Sequence, residues 1–185
     1  MDVLSLLKQD HRQVSAMIDS IQKCDPGDER LVELGRQISQ ALTIHAELEE
    51  KLFYPELRDR AGDDEERVDV FEAFTEHDVV KHLISLLNSA RRNDERFKAE
   101  LQVLGESVKH HVAEEESTIF SIAREVLDES ELEELGEKMS AAKQRLMRSS
   151  SHASTNGKRK SPAKKTTRKA NGKNAARRKT AAKRR

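Results

Sequence analysis

The sequence predicts an all-α protein: an antiparallel up-down four-helix bundle, a short fifth helix and a disordered basic tail. Three observations carry this. Apolar residues recur at helical spacings of three and four through residue 147. Short clusters rich in Asp, Gly, Asn and Pro interrupt that pattern at intervals that leave four long segments. The 34 acidic and 34 basic side chains also divide unevenly along the 185 residues. Residues 1–147 hold all 34 acids and 19 bases, a balance of −15, whereas residues 148–185 hold 15 bases and no acid, a balance of +15. The neutral sum therefore hides an acidic head and a basic tail.

Helix one is predicted from about Val3 to Lys23, with Leu4, Leu7, Val14, Ile18 and Ile21 along one side. Cys24-Asp25-Pro26-Gly27-Asp28 ends it, since proline and glycine both break a helix. Helix two is expected from about Glu29 to Arg58, on the stripe Leu31, Leu34, Ile38, Leu42, His45, Glu49 and Leu52. After Ala61-Gly62-Asp63-Asp64, helix three runs from about Glu65 to Ala90 with Val70, Phe74, His77, Ile84 and Leu87 in register. Arg91-Arg92-Asn93-Asp94 is the next turn. Helix four spans about Glu95 to Leu127, carrying Leu101, Leu104, Val108, His111, Glu115, Ile119, Ile122 and Val126. Ser130 with Glu133 fits a capping box for a fifth helix, about Glu131 to Leu146, packed outside the bundle or mediating self-association. The domains expected are a bundle at 1–127, an accessory helix at 128–147 and a tail at 148–185.

Composition excludes several classes. No run approaches the roughly 18 apolar residues of a membrane span, and the N-terminal stretch lacks the pattern of a signal peptide. The single cysteine, Cys24, sits in a turn and supports neither an internal disulfide nor a paired-cysteine metal site, so a cytoplasmic setting is expected. The sequence contains no GxGxxG, phosphate loop or GxSxG elbow.

The histidines lie on the apolar side. On a helical wheel His11 sits among Leu7, Val14 and Ile18, and His77 among Phe74, Val80 and Ile84. His45 and Glu49 share the inward arc of helix two, as His111 and Glu115 share that of helix four. One such histidine alone is commonly a satisfied core residue. Six ionisable groups in one small core need a common partner, because each costs several kcal/mol if buried unpaired. Imidazole and carboxylate are ligands for iron, manganese or zinc. The H-x-x-x-E repeat sends two ligands in one direction from each of two helices, and two carboxylates able to bridge favour two ions over one. His110 and the Glu114–Glu116 run, apart from Glu115, fit a solvated face.

These pieces resemble the hemerythrin-like, or HHE cation-binding, family: Asp10-His11, His45 followed by AELEEKLFYP, TEHDVVKHL from Thr75, and His111 followed by VAEEESTIF. The resemblance covers about residues 1–127. It implies two non-haem iron ions, oxo- or hydroxo-bridged, with His11 and His45 on one, His77 and His111 on the other, and Glu49 and Glu115 bridging. The family's oxygen carriers have a second histidine one turn after the helix-three histidine. Here that position is Lys81, and His82 points elsewhere unless the helix holds a π-bulge. Glu76, Glu114 or water is left to complete the second site, which suits a redox-responsive or labile centre better than a stable oxygen adduct.

The tail resembles the lysine-rich tails of histone H1-like proteins. With no aromatic residue and no acid, it is expected to follow the phosphates of DNA or RNA without reading sequence. The function expected is a di-iron protein that binds or senses dioxygen, a related oxidant or iron, held near nucleic acid, with the nucleoid as its expected setting. The alternative is an architectural or regulatory DNA-binding protein with a structural metal bundle. An enzyme that processes peroxide or nitric oxide is the weaker third reading, and no membrane partner is expected.

Overall fold

The computed structural model describes residues 1–90 and 93–156, with side chains through Ser150. The elements are α1 (Val3–Gln22), α2 (Glu29–Leu48), a π-helical turn π1 (Glu49–Phe53), α3 (Tyr54–Arg60), α4 (Asp64–Ser89), α5 (Glu95–Glu114), a second π-helical turn π2 (Glu115–Ile119), α6 (Phe120–Val126) and α7 (Glu129–Asn156). Four rods result: α1, α2-π1-α3, α4 and α5-π2-α6. Contacts of α1 with α2, α2 with α4, α4 with α5, and α5 with α1 close them into the expected bundle.

Aspartate caps set the rod ends. Asp2, Asp28, Asp63 and Asp94 accept from the backbone N–H of Ser5, Arg30, Glu66 and Phe97 at 2.9, 2.9, 3.0 and 3.0 Å. Each satisfies a donor that the first helical turn leaves free. Gly27, at φ 85°, turns the chain between α1 and α2 in a conformation that costs glycine nothing.

The fifth helix differs from expectation at both ends. Its capping box is Asp128 with Glu131, one of each pair accepting the other's backbone N–H at 2.9 Å, not Ser130 with Glu133. The earlier carboxylate pair makes both bonds and moves the start to Glu129. The helix also continues past Leu146 into the serine-rich start of the expected tail, to Asn156. Ser149 and Ser150 donate their hydroxyls to the Leu146 carbonyl, at 2.8 and 2.9 Å, so they fold onto the helix instead of breaking it. The tail from residue 157 lies outside the described residues.

Helix α7 packs outside the bundle, on α1 and α2. Met139 and Leu135 are buried beneath it. Gly136 permits this approach: a β-carbon there would lie 2.7 Å from the Asp2 carbonyl carbon and 2.8 Å from the Val3 nitrogen. Cys24 is buried, its thiol directed at the Ser20 carbonyl at 3.4 Å.

Two apolar clusters fill the bundle. One gathers Leu7, Phe53, Tyr54, Leu57, Phe120 and Met139. The other gathers Ile18, Leu31, Ile38, Leu101, Leu104 and Val108. In each rod the ligand-type residues fall between the positions that feed the two clusters, so a polar layer separates them. No described helix is long and apolar enough to cross a membrane.

Candidate metal centre

The polar layer consists of the six residues singled out in the sequence. His11, His45, His77, His111, Glu49 and Glu115 are each at most 6 % exposed. His11, His45, Glu49 and Glu115 bring ligand atoms within 4.8 Å of one another, and Glu49, His77 and His111 do the same. Glu49 spans the two groups: its Oε1 lies 3.1 Å from His45 Nε2 and its Oε2 lies 3.3 Å from His77 Nε2. Glu115 Oε2 lies 3.0 Å from His11 Nε2 and 3.8 Å from His111 Nε2. The first group thus has four ligand-type residues and the second has three.

The outer edge of the cage shows what the inner edge is for. His11, His77 and His111 donate Nδ1–H to Glu116 at 2.8 Å, Glu50 at 2.9 Å and Glu76 at 2.8 Å. An ionised carboxylate only accepts, so these bonds fix the tautomers and leave Nε2 with a bare lone pair. Those lone pairs face each other and the carboxylates. His77 Nε2 and His111 Nε2 stand 3.2 Å apart. His11 Nε2, Glu115 Oε2 and both carboxylate oxygens of Glu49 are buried with no hydrogen-bond partner, despite the short distances. Acceptors aimed at acceptors repel unless a proton or cation sits between them. The donor set, imidazole nitrogen with carboxylate oxygen, suits iron, manganese or zinc. The residues therefore fit a pair of such ions.

Electrostatics agree for His45 and His77, whereas His11 is pulled the other way by its carboxylates. Burial, with the charge of Glu115, pushes the Glu49 carboxyl well above its usual range. Burial pushes His45 down, and burial with the neighbouring histidines takes His77 down to about 2. For His11 burial also acts downward, but the Glu115 and Glu116 carboxylates outweigh it and its pKa rises. Glu115 is held below its usual range by His11, His111 and His45 against its own burial. The hydroxyl of Tyr54 donates to Glu115 Oε1 at 3.3 Å and lies 3.5 Å from His77 Nε2. Tyr54 therefore reaches the cage as well as closing the bundle end.

Each histidine also has a carboxylate and a basic group behind it. Lys8 lies 3.9 Å from Glu116, behind His11. Lys143, from α7, contacts Asp10, whose Oδ2 is 3.8 Å from His45 Nδ1. Lys81 lies 2.6 Å from Glu50, behind His77. His110 lies 3.5 Å from Glu76, behind His111. Lys81 therefore does not replace a ligand; it anchors the carboxylate that orients one. His82 is exposed and joins neither group, since α4 has no π-turn to redirect it. Glu76 orients His111 instead of facing the second group, and Glu114 is about half exposed.

The sequence pattern singles out none of Glu50, Glu116 and Lys143. Glu116 fits a solvated face by its wheel position, and the structure instead places it against His11. A signal for them exists: one offset of 66 residues relates His11 to His77, His45 to His111, Glu49 to Glu115, Glu50 to Glu116 and Asp10 to Glu76. The structure follows it, for α2, π1 and α3 map onto α5, π2 and α6 at that same offset. His11 bonds Glu116 across the halves as His77 bonds Glu50.

Replacing Lys143 with methionine leaves the buried Asp10 carboxylate without its cation. The expected loss is about 1–3 kcal/mol in urea unfolding, partly restored by adding Asp10→Asn.

A helical bundle whose buried centre gathers imidazole nitrogens and carboxylate oxygens, with a phenol hydroxyl beside them, defines a helical cation-binding protein. The chain belongs to the Hemerythrin HHE cation binding domain family, which it matches over residues 2–123. Among curated relatives, a DNA nickase from Nostoc sp. (strain PCC 7120) is 29 % identical over 147 residues, 79 % of this chain. The aligned chain spans only 40 % of that relative's length. Among solved structures, a hemerythrin HHE cation-binding domain-containing protein from Mycobacterium kansasii superposes with a TM-score of 0.71. It is 25 % identical, and the match covers 85 % of this chain and 94 % of that one.

Proposed function

We propose that this chain is a dinuclear non-haem iron protein that binds or senses dioxygen or a related oxidant, with its 148–185 segment tethering it to DNA or RNA. The observation that carries the reading is the cage: bare Nε2 lone pairs facing two buried carboxylates, with carboxylates behind. His11, His45 and both glutamates would hold one ion, and His77, His111 and the shared Glu49 the other. Iron there would supply one-electron redox chemistry. The protein contributes fixed imidazole orientation through Glu116, Glu50 and Glu76, a phenol hydroxyl at Glu115, and apolar layers that limit water. The smaller ligand count at the second position favours exchange and redox response over a lasting adduct.

The +15 tail supports the tether, because neutralising phosphates releases counterions without reading bases. The relative named a DNA nickase also supports a role near DNA. A second reading, a nucleic-acid-binding protein whose metal is only structural, rests on the same tail.

One set of measurements tests both. Reconstituted protein is expected to hold about two irons per chain and to change its absorption between the anaerobically reduced and aerated states. His45→Ala and Glu115→Ala should each lower the iron content; unchanged content in both removes the cage assignment. Deleting 148–185 should abolish salt-sensitive DNA retardation and leave the iron spectrum intact. A spectrum indifferent to air selects the structural-metal reading.

A further inference from the structure

Helix α4 is apolar on two sides, where a rod facing solvent needs only one. Its inner side carries Val70, His77, Val80 and Ile84 into the bundle. Val68, Phe71, Thr75, Val79, His82 and Leu86 make five steps over 18 residues, the helical period. They share an arc of about 80° on the opposite side, at 100° per residue. All six are exposed. Val68, Phe71, Val79 and Leu86, 43 to 61 % exposed, are four of the eight large apolar side chains most open to solvent among the described residues. Scattered apolar residues on a surface need no explanation, but four in line on one helix mark an interaction surface.

The equivalent helix of the first half is an internal control. The 66-residue offset places Asp2, Ser5, Gln9, Gln13, Ala16 and Ser20 of α1 at the same six positions, and none is a large apolar residue. The architecture therefore does not demand the stripe. The rest of this sequence does not supply a cover either. Residues 91–92 and 151–185 contain no Val, Ile, Leu, Met, Phe, Tyr or Trp, and α7 lies on α1 and α2.

The stripe is matched to itself. From either end it begins with an aliphatic residue, Val68 or Leu86, continues with a ring, Phe71 or His82, and reaches the short side chains Thr75 and Val79 at its middle. A twofold axis at the level of residue 77 sets Val68 against Leu86 of the partner subunit and Thr75 against Val79 of the partner subunit. Such self-complementarity is what a twofold pair requires. Charge selects the direction. Residues 63–72 hold six acids and one base, whereas 81–90 hold Lys81 and no acid, with Arg91-Arg92 next in sequence. Antiparallel pairing lays the acidic end of each helix against the basic end of the other and opposes their dipoles.

We infer that the chain pairs with a second copy of itself through the outer face of α4, the two helices running antiparallel. The inference is independent of the metal reading.

The test uses the full chain. Sedimentation equilibrium should give about twice the chain mass of 21.0 kDa in low and in high salt, because an apolar contact survives salt that screens attraction between tail and head. Val79→Lys alters an exposed residue and puts a charge beside the axis. It should weaken pairing about a hundredfold or more and leave the circular dichroism spectrum unchanged. Val32→Lys, at a residue similarly exposed but on α2, should pair as the wild type does. A spin label at Val68→Cys, with Cys24 buried, should report about 27 Å or more between copies, the rise of 18 residues. Parallel pairing would bring the labels within about 15 Å, since packed helices lie about 8–10 Å apart. A wild-type monomer, or a dimer that high salt disperses, overturns the pairing and leaves the stripe to a different partner. A dimer indifferent to Val79→Lys overturns the α4 face. A short label distance overturns the antiparallel direction.

Discussion

Glu49→Gln is expected to lower the metal content of the chain, to one ion or none from the proposed pair, and to reverse the effect of metal on its stability. Glu49 is the residue shared by both ligand groups, one oxygen towards His45 and the other towards His77. Glutamine keeps the shape, offers one carbonyl oxygen and brings no charge, so it cannot bridge two cations. Metal that binds only the folded state stabilises by about 4 kcal/mol at a thousandfold excess over its dissociation constant. Most of that gain should vanish. The metal-free protein should move the other way. The Glu49 carboxyl is pushed well up by burial and by Glu115. An acid whose folded pKa exceeds its unfolded value costs stability as pH rises above the unfolded value, so near neutral pH the empty cage carries a penalty that glutamine removes. Metal-free Glu49→Gln should therefore melt at or above the wild type, whereas with metal added it should melt below. Calorimetry with and without chelator reads both. An identical metal-induced shift in the two proteins would exclude Glu49 as the bridge.

Inserting one alanine after Lys51 should cost far more than replacing Lys51. Lys51 lies in π1 with its side chain 68 % exposed, so Lys51→Ala should change stability by less than about 0.5 kcal/mol. The π-turn already absorbs one extra residue, and a second turns everything after it by about 100°. Phe53, Tyr54 and Leu57, all 0 % exposed, would leave the core, and the Tyr54 hydroxyl would leave Glu115. At about 1.5–3 kcal/mol for each large apolar side chain, the loss approaches the whole stability of a small domain. Urea unfolding should place the insertion near the unfolded baseline or show a loosened end beside the cage. An insertion as stable as Lys51→Ala would mean that the π-turn does not set the register.

That register is where sequence reasoning stopped short. The four rods and the six cage residues were legible because ligand-type residues sit on the apolar arc at helical spacing. His45 with Glu49 and His111 with Glu115 needed only one turn of helix to place them. Beyond Glu49 and Glu115 a constant 100° wheel fails. It turns Tyr54, Leu57, Phe120 and Ala123 away from the core, yet all four are 0 % exposed. One extra residue absorbed in each π-turn brings them back by about 100°. No propensity scale flags that turn; the burial of Tyr54 and Phe120 does. The outer carboxylates were hidden for another reason. Glu50 and Glu116 each follow a cage glutamate directly, and adjacent helical residues point apart. They reach His77 and His11 only because those histidines lie on other rods. Lys143 was hidden because the partner it finds is 133 positions away in sequence.

The 66-residue correspondence between the halves has a consequence for descent. Each half is a helical hairpin that supplies two histidines, one inner glutamate and two outer carboxylates. Neither hairpin holds a complete cage, because His11 takes its outer carboxylate from the second half and His77 from the first. This is the arrangement that duplication of a self-pairing hairpin would leave behind. The pairing is not matched on the outside: α7 packs on α1 and α2, and among the described residues no equivalent helix covers the second half.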